Sequence, residues 1–345
     1  MQIRSAFLKS PWNCSLRTID LPDYVPDEHV LIRVEACGIC GTDLSNAEDK
    51  LGDWQPFGHE IAGVIERLGE HCPGLNVGDR VVLESSSYCG RCDICRSGRV
   101  DLCNKAPQFW MAGPSMGFAD YLFAPACCVV RYDGLTPEAA SLAEPAGVAY
   151  DMVKTADIQH GNRVCLIGPG PIGLMAIPMA LRSGADQVVC IGRSSTRPRL
   201  EAAAQLGAKP VACDRPLTEY PELQQQFDRI LLTAPVQVIP EALSLLAYGG
   251  ILAYIGIGSG SGMISFDAND FHFRKLQLRA SFASPALYYP IVLKMLKNGT
   301  IPADLIISHR LPLSGIEEAM TMCREEKAKT IKVVIVPDEE SGKND

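Results

Sequence analysis

Residues 89–103 read CGRCDICRSGRVDLC, four thiols spaced C-x2-C-x2-C-x7-C. Two-residue gaps let neighbouring sulfurs turn toward one tetrahedral ion. A closed shell of Cys89, Cys92, Cys95 and Cys103 suits a structural zinc, worth on the order of 10 kcal/mol in ordering its loop. The plain alternative is four unconnected surface thiols, and the regular spacing weighs against it. Two shorter stretches, CGICGTD (37–43) and GHE (58–60), set Cys40, His59 and Glu60 between strand-like runs. A thiolate, an imidazole and a carboxylate form a mixed, incomplete donor set, which leaves a position for substrate or water as catalytic metal sites do. Asp43 is a candidate acceptor for the imidazole N–H of His59. A purely structural histidine is the bland alternative for His59.

A third stretch, GPGPIG, spaces Gly168, Gly170 and Gly173 as G-x-G-x-x-G around Pro171 and Ile172. It follows a strand-like run and opens a helical one. Its glycines permit a tight turn, close approach of a pyrophosphate and close helix packing, with the helix N-terminus facing the phosphates. An NAD site places an acid about twenty residues further on, at the ribose 2′-hydroxyl. Here the chain reads CIGRSSTRPR, with Gly192, Arg193, Ser194, Ser195 and Arg197 and no acid. A carboxylate would repel a 2′-phosphate, whereas Arg and Ser can bind one, so the stretch favours NADP(H) over NAD. Solvated loop residues at a helix start are the alternative.

The elements that must position these groups fall into two rhythms. Before residue 135, short strands with turn punctuation are expected at IRSAFL, HVLIRVEAC, IAGVIERLG, DRVVLES and ADYLFAPACCVVR. From TPEAASLAEPAGVAYDMV onward the spacing turns helical. Six apolar runs then alternate with mostly helical stretches: RVCLIG, QVVCIG, PVACD, RILLTA, GILAYIGI (250–257) and LQLRASF. Continuous Val/Ile/Leu runs of this kind imply a parallel sheet covered on both faces. IKVVIVP is left over after that count, so the chain is expected to return to its first domain. The predicted organisation is 1–146, 147–285 and a returning segment 286–345.

A chain of 345 residues exceeds one ordinary core. Its net charge of −8 and the lack of a basic stripe exclude nucleic acid as the expected partner. No apolar stretch is long enough for a membrane span, and the opening MQIRSAFLKS lacks a secretory pattern. A cytoplasmic protein follows as the expectation, where clustered thiols bind metal more readily than they form disulfides. The tail EESGKND is polar and expected to fray.

In their order and spacing, CGICGTD, GHE, the four-cysteine loop and GPGPIG resemble the zinc-dependent medium-chain dehydrogenases. The resemblance runs through the closing ISHRLPLSGIEEAM and KTIKVVIV. It implies an α/β chain, a GroES-like β-barrel catalytic domain plus a Rossmann domain with a doubly wound, parallel six-stranded sheet. It further implies two zincs per chain, NAD(P), and reversible oxidation of an alcohol to a ketone. Cys40 and His59 then resemble catalytic zinc ligands, and Glu60 the carboxylate that binds the metal or stands close behind it. LAEPAG supplies Glu144 at the remaining ligand position, where Glu followed by Pro resembles the polyol branch of sorbitol and threonine dehydrogenases. Thr42 matches the hydroxyl that relays the substrate proton, and Lys332 the basic residue that reaches the pyrophosphate. The expected substrate is a secondary alcohol of a polyol, cyclitol or sugar derivative, and the expected assembly a homodimer or homotetramer.

Two departures stand out. Ser45 occupies the place of the outer histidine shuttle. SFASPALYYP puts Ala283 and Ser284 where sorbitol dehydrogenases carry an Arg-Tyr pair, which makes sorbitol itself a doubtful substrate. Phe109, Trp110 and Phe118 could line a pocket or serve packing. A nucleotide-binding sensor without catalysis is the alternative reading of the same scaffold.

Overall fold

The computed structural model describes residues 1–256 and 262–338. Ile257, the expected end of one strand, and the tail EESGKND lie outside the described residues. The chain divides into two compact units, Met1–Glu144 with Ala283–Asp345, and Pro145–Phe282. These divisions fall two and three residues before the boundaries read from the sequence.

In the first unit the strands are β1 (Gln2–Lys9), β2 (Asn13–Asp20), β3 (His29–Gly38), β4 (Gln55–Pro56), β5 (Glu60–Leu68), β6 (Arg80–Leu83), β7 (Tyr121–Pro125) and β8 (Val129–Arg131). The second unit holds β9 (Arg163–Ile167), β10 (Gln187–Gly192), β11 (Lys209–Ala212), β12 (Phe227–Leu232), β13 (Leu246–Tyr254) and β14 (Gln277–Ala280). β15 (Ile307–Pro312) and β16 (Lys332–Val336) belong to the returning segment.

A seven-stranded sheet in the order β15-β16-β3-β5-β6-β8, with β7 also on β3, forms the body of the first unit. Antiparallel pairing of β16 with β3 sets Val334 opposite Gly38, so the chain's return is built into the sheet. Ile32, Ile61, Ile65, Val81 and Leu122 are among its core. Phe109 and Phe118 lie in the same core, and the Phe118 ring stacks at 4.8 Å on Phe57. Of the three aromatics in question, only Trp110 reaches the surface.

The second unit is one six-stranded sheet, β11-β10-β9-β12-β13-β14, with every neighbouring pair parallel. β9 shows why it read as a continuous apolar run: Val164 to Ile167 are all buried, as a strand covered on both faces must be. The order reverses at β9, placing the crevice beyond the carboxyl ends of β9 and β12. Three strands were not anticipated, one of them the two-residue β4. β2 and β15 carry Arg, Asp, His and Ser and are largely half-exposed, so no apolar signal announces them.

Candidate functional site

The four-cysteine loop is shaped by its own backbone. Cys92 caps the short helix Asp93–Arg96 and its Sγ accepts the Cys95 amide at 3.5 Å. Cys103 Sγ accepts the Cys89 amide at 3.4 Å. The Cys89–Cys95 and Cys92–Cys103 sulfur pairs are each 4.0 Å apart, and all four Sγ atoms lie within 4.8 Å of one another. Backbone amides of Arg91 and Cys92 pull the Cys89 thiol down to about 6, which favours the thiolate that zinc needs. Among the described residues this is the one group of three or more His, Cys, Asp or Glu drawn so close.

The second donor set is assembled from distant segments of the first unit. Cys40 caps the helix Gly41–Ser45, and Asp43 closes the turn by accepting the Cys40 amide at 2.9 Å. Asp43 Oδ1 stands 3.7 Å from His59 Nδ1, too far for a hydrogen bond but close enough to act on the ring's charge. Burial disfavours the charged imidazole; Cys40, Asp43 and Glu144 outweigh it and raise His59 well above its ordinary range. Glu144, in the first turn of Ala143–Thr155, is pushed up to about 7, by burial first. Cys40, His59 and Glu144 thus act on one another electrostatically, although they are not gathered as tightly as the four cysteines.

Glu60, 0% exposed at the start of β5, holds Lys332 Nζ at 2.6 Å through both oxygens. The ammonium also donates to the Ile39 carbonyl at 2.9 Å. Gly38 explains how the carboxylate fits: a Cβ there would lie 2.1 Å from Glu60 Oε2. Lys332, expected at a pyrophosphate, is 3% exposed with its ammonium on these partners. Thr42 is exposed, and the Ser45 hydroxyl is buried without a hydrogen-bond partner.

In the second unit, Gly168 has φ +104, and a Cβ there would sit 2.7 Å from Thr233 Oγ1. Gly170 faces open space, and Pro171 begins the helix Pro171–Arg182, which carries Ile172 and the buried Gly173. Gly168, Gly170 and Arg193 line a 590 Å³ cavity. Its far wall includes Thr196, Arg199 and Arg215, which sequence reasoning did not single out. Arg199 lay in the quoted stretch; Arg215 follows β11, and no local pattern points to it. Ser194 and Arg197 are not part of the lining: the Ser194 amide donates to Asp214, and Arg197, 82% exposed, pairs with Glu201 at 3.0 Å. The cavity's two acids are already engaged, Asp214 by Ser194 and Glu241 by the Leu217 amide at 2.7 Å.

A largely antiparallel unit bearing a thiolate metal site and a doubly wound unit with a glycine-lined crevice define a dinucleotide-dependent oxidoreductase. Residues 26–134 match the alcohol dehydrogenase GroES-like domain, and residues 171–298 match the zinc-binding dehydrogenase family. Sorbitol dehydrogenase of Bacillus subtilis (strain 168) is 30% identical over 352 residues, 97% of each chain. L-galactonate-5-dehydrogenase of Escherichia coli (strain K12) is 29% identical, over 88% of this chain and 89% of its own. A structure from Sinorhizobium meliloti 1021, described as a zinc-binding dehydrogenase bound to NADP, superposes with a TM-score of 0.86 at 26% identity, covering 98% of this chain and 100% of its own. The chain belongs to the zinc-containing medium-chain alcohol dehydrogenase family. It is a zinc-dependent, NAD(P)-linked alcohol dehydrogenase. No helix among the described residues is long and apolar enough to cross a membrane.

Proposed function

We propose that the enzyme oxidises a secondary alcohol of a polyol, cyclitol or sugar derivative with NADP⁺, using a second zinc held by Cys40, His59 and Glu144 with Glu60 close behind. The observation that carries this reading is the charge around His59. Cys40, Asp43 and Glu144 all bear on one imidazole, while the nearby cation, Lys332, is spent on Glu60. That donor set fits a divalent ion. Zinc there would supply a Lewis acid for the alcohol oxygen, and the nicotinamide a hydride acceptor. Thr42, exposed at the head of its helix, takes the alcohol proton and passes it to solvent. The buried Ser45 hydroxyl has no hydrogen-bond partner and is left outside this path.

NADP(H) is supported by position 192, where an NAD-binding acid would stand. Gly192 is packed so that a Cβ would lie 2.8 Å from Pro169 Cγ, and Arg193 follows it into the cavity. A substrate other than sorbitol is supported by Ala283, which has no donor, and by Ser284, whose hydroxyl is 2.6 Å from that of Ser86. Thiols set for metal rather than disulfides fit a reducing cytoplasm. The open edge of β14, with Phe273 and Phe282 exposed nearby, favours a homodimer or homotetramer.

Metal content and dinucleotide binding on one chelator-free preparation test the reading. We expect two zincs per chain, tighter NADP⁺ than NAD⁺ binding, and in Cys40→Ser a folded protein with one zinc and no turnover. A fully active Cys40→Ser enzyme overturns the assignment.

A further inference from the structure

The turns that follow β10 and β11 meet at one end of the glycine-lined cavity. These strands run parallel with Gly192 opposite Ala212, so their carboxyl ends release Arg193 and Asp214 into neighbouring turns. Two bonds lace the turns together. The Cys213 amide donates to the Gly192 carbonyl at 2.8 Å, and the Ser194 amide donates to Asp214 Oδ1 at 2.9 Å. Arg193 from one turn and Arg215 from the other both line the cavity. The end of the second strand is where a dinucleotide places its adenosine ribose, so a phosphate on that ribose would face both guanidinium groups.

Tyr220 fixes the second of these turns. Its hydroxyl accepts two amides, from Asp214 at 3.0 Å and from Arg215 at 3.3 Å, while its ring packs against the core of the sheet. A phenol oxygen has two lone pairs, and both serve one turn. The same ring lies under the Arg215 guanidinium, whose central carbon is 5.0 Å from the ring centroid. Backbone and side chain of Arg215 thus stand on one tyrosine. The guanidinium also pairs with Glu219 Oε2 at 3.3 Å, but both side chains are exposed, and surface pairs of this kind hold weakly enough for a phosphate to displace.

We propose that Arg215 binds the 2′-phosphate of NADP(H) together with Arg193, and that Tyr220 is the positioning residue that holds Arg215 in place for it. The inference rests on the reading of the cofactor as NADP(H). It adds to the missing acid at the end of β10 a positive contact from β11. A guanidinium fork suits a phosphate through paired N–H···O bonds, and fixing its backbone and plane beforehand reduces the freedom lost on binding.

The test measures binding of NADP⁺, NAD⁺, 2′,5′-ADP and 5′-AMP to the full chain, as wild type, Arg215→Leu, Tyr220→Phe and the double variant. Arg215→Leu should weaken NADP⁺ and 2′,5′-ADP about 10–100-fold, the size of a lost bond to a charged group, and leave NAD⁺ and 5′-AMP as in wild type. Tyr220→Phe keeps the ring under the guanidinium and removes the acceptor of both amides. It should weaken NADP⁺ about 5-fold, again with NAD⁺ unchanged. The double variant should bind NADP⁺ no more weakly than Arg215→Leu alone. A Tyr220→Phe protein that loses both cofactors alike makes the tyrosine a fold support only and overturns its positioning role. Tighter NADP⁺ than NAD⁺ binding in wild type, with that preference intact in Arg215→Leu, overturns the inference and leaves the cofactor reading standing. A wild-type protein that binds NAD⁺ as tightly as NADP⁺ overturns the cofactor reading, and the inference with it.

Discussion

The two cysteine-bearing centres of the first unit are built on opposite plans. Residues 89–103 bring four sulfurs within 4.8 Å of one another by local turns and amide-to-sulfur bonds. Cys40, His59 and Glu144 come from three segments spread over 104 positions, and their neighbours are fixed by other means. Asp43 closes the Cys40 turn, and Lys332 neutralises Glu60 across the sheet. The loop's sulfurs are thus laid out for one ion by local contacts, whereas the mixed set sits in a frame that stands on contacts between distant segments. A closed shell serves stability, and an open one leaves room for chemistry.

The largest way to break that contrast is Cys92→Ser. Removing one sulfur from a closed shell should release its zinc and unfold residues 89–103, a loss on the order of the 10 kcal/mol that structural zinc contributes. Hydrogen exchange across the loop, with zinc content beside it, measures this. Protection unchanged from wild type would show that the loop is held by something other than metal.

Lys332→Met strikes the other plan. It leaves the Glu60 carboxylate buried without its cation, at a cost of about 3–5 kcal/mol in chemical denaturation. The four-cysteine zinc should stay. Adding Glu60→Gln should recover much of the loss, because the uncompensated charge is then gone. A single variant as stable as wild type would mean that the frame around the mixed set is not held by this pair.

The last effect, confined to neutral and alkaline pH, concerns Glu84, which burial raises from the usual 4.5 to about 8. The folded protein keeps a proton there that the unfolded chain releases, so this contribution is full below about 4.5 and is lost as pH rises toward 8. Glu84→Gln stays neutral throughout. It should melt several degrees above wild type at pH 8.5 and much closer to it at pH 5, since about 1 kcal/mol moves Tm by 2–4 °C in a domain of this size. Equal melting curves at both pH values would remove Glu84 from the stability balance.

Spacing made the local parts of both plans legible. Cys89 to Cys103 and Gly168 to Gly173 are motifs in which neighbours in sequence are neighbours in space, and the six buried strands of the second unit declare themselves by unbroken apolar runs. What stayed hidden depends on contacts between distant segments. Lys332 meets Glu60 across 272 positions, a pairing that no local pattern in the closing strand announces. Arg215 joins the cavity from the end of a different strand than Arg193. Phe109 and Phe118 read equally as pocket or core until their neighbours are known.

The packing at position 192 also bears on how such an enzyme could change its cofactor. Exchanging NADP for NAD ordinarily begins with an acid at the end of the second strand. Here the proline ring of Pro169 stands where the new side chain's first carbon would go. Gly192→Asp alone must push the glycine-rich turn aside before its carboxylate can help, so the direct step is uphill. A path through a smaller residue at 169 reaches the same end in two changes, the first of them silent for cofactor choice. Under the NADP reading proposed above, a single Gly192→Asp change would meet this steric neighbour before its carboxylate could act.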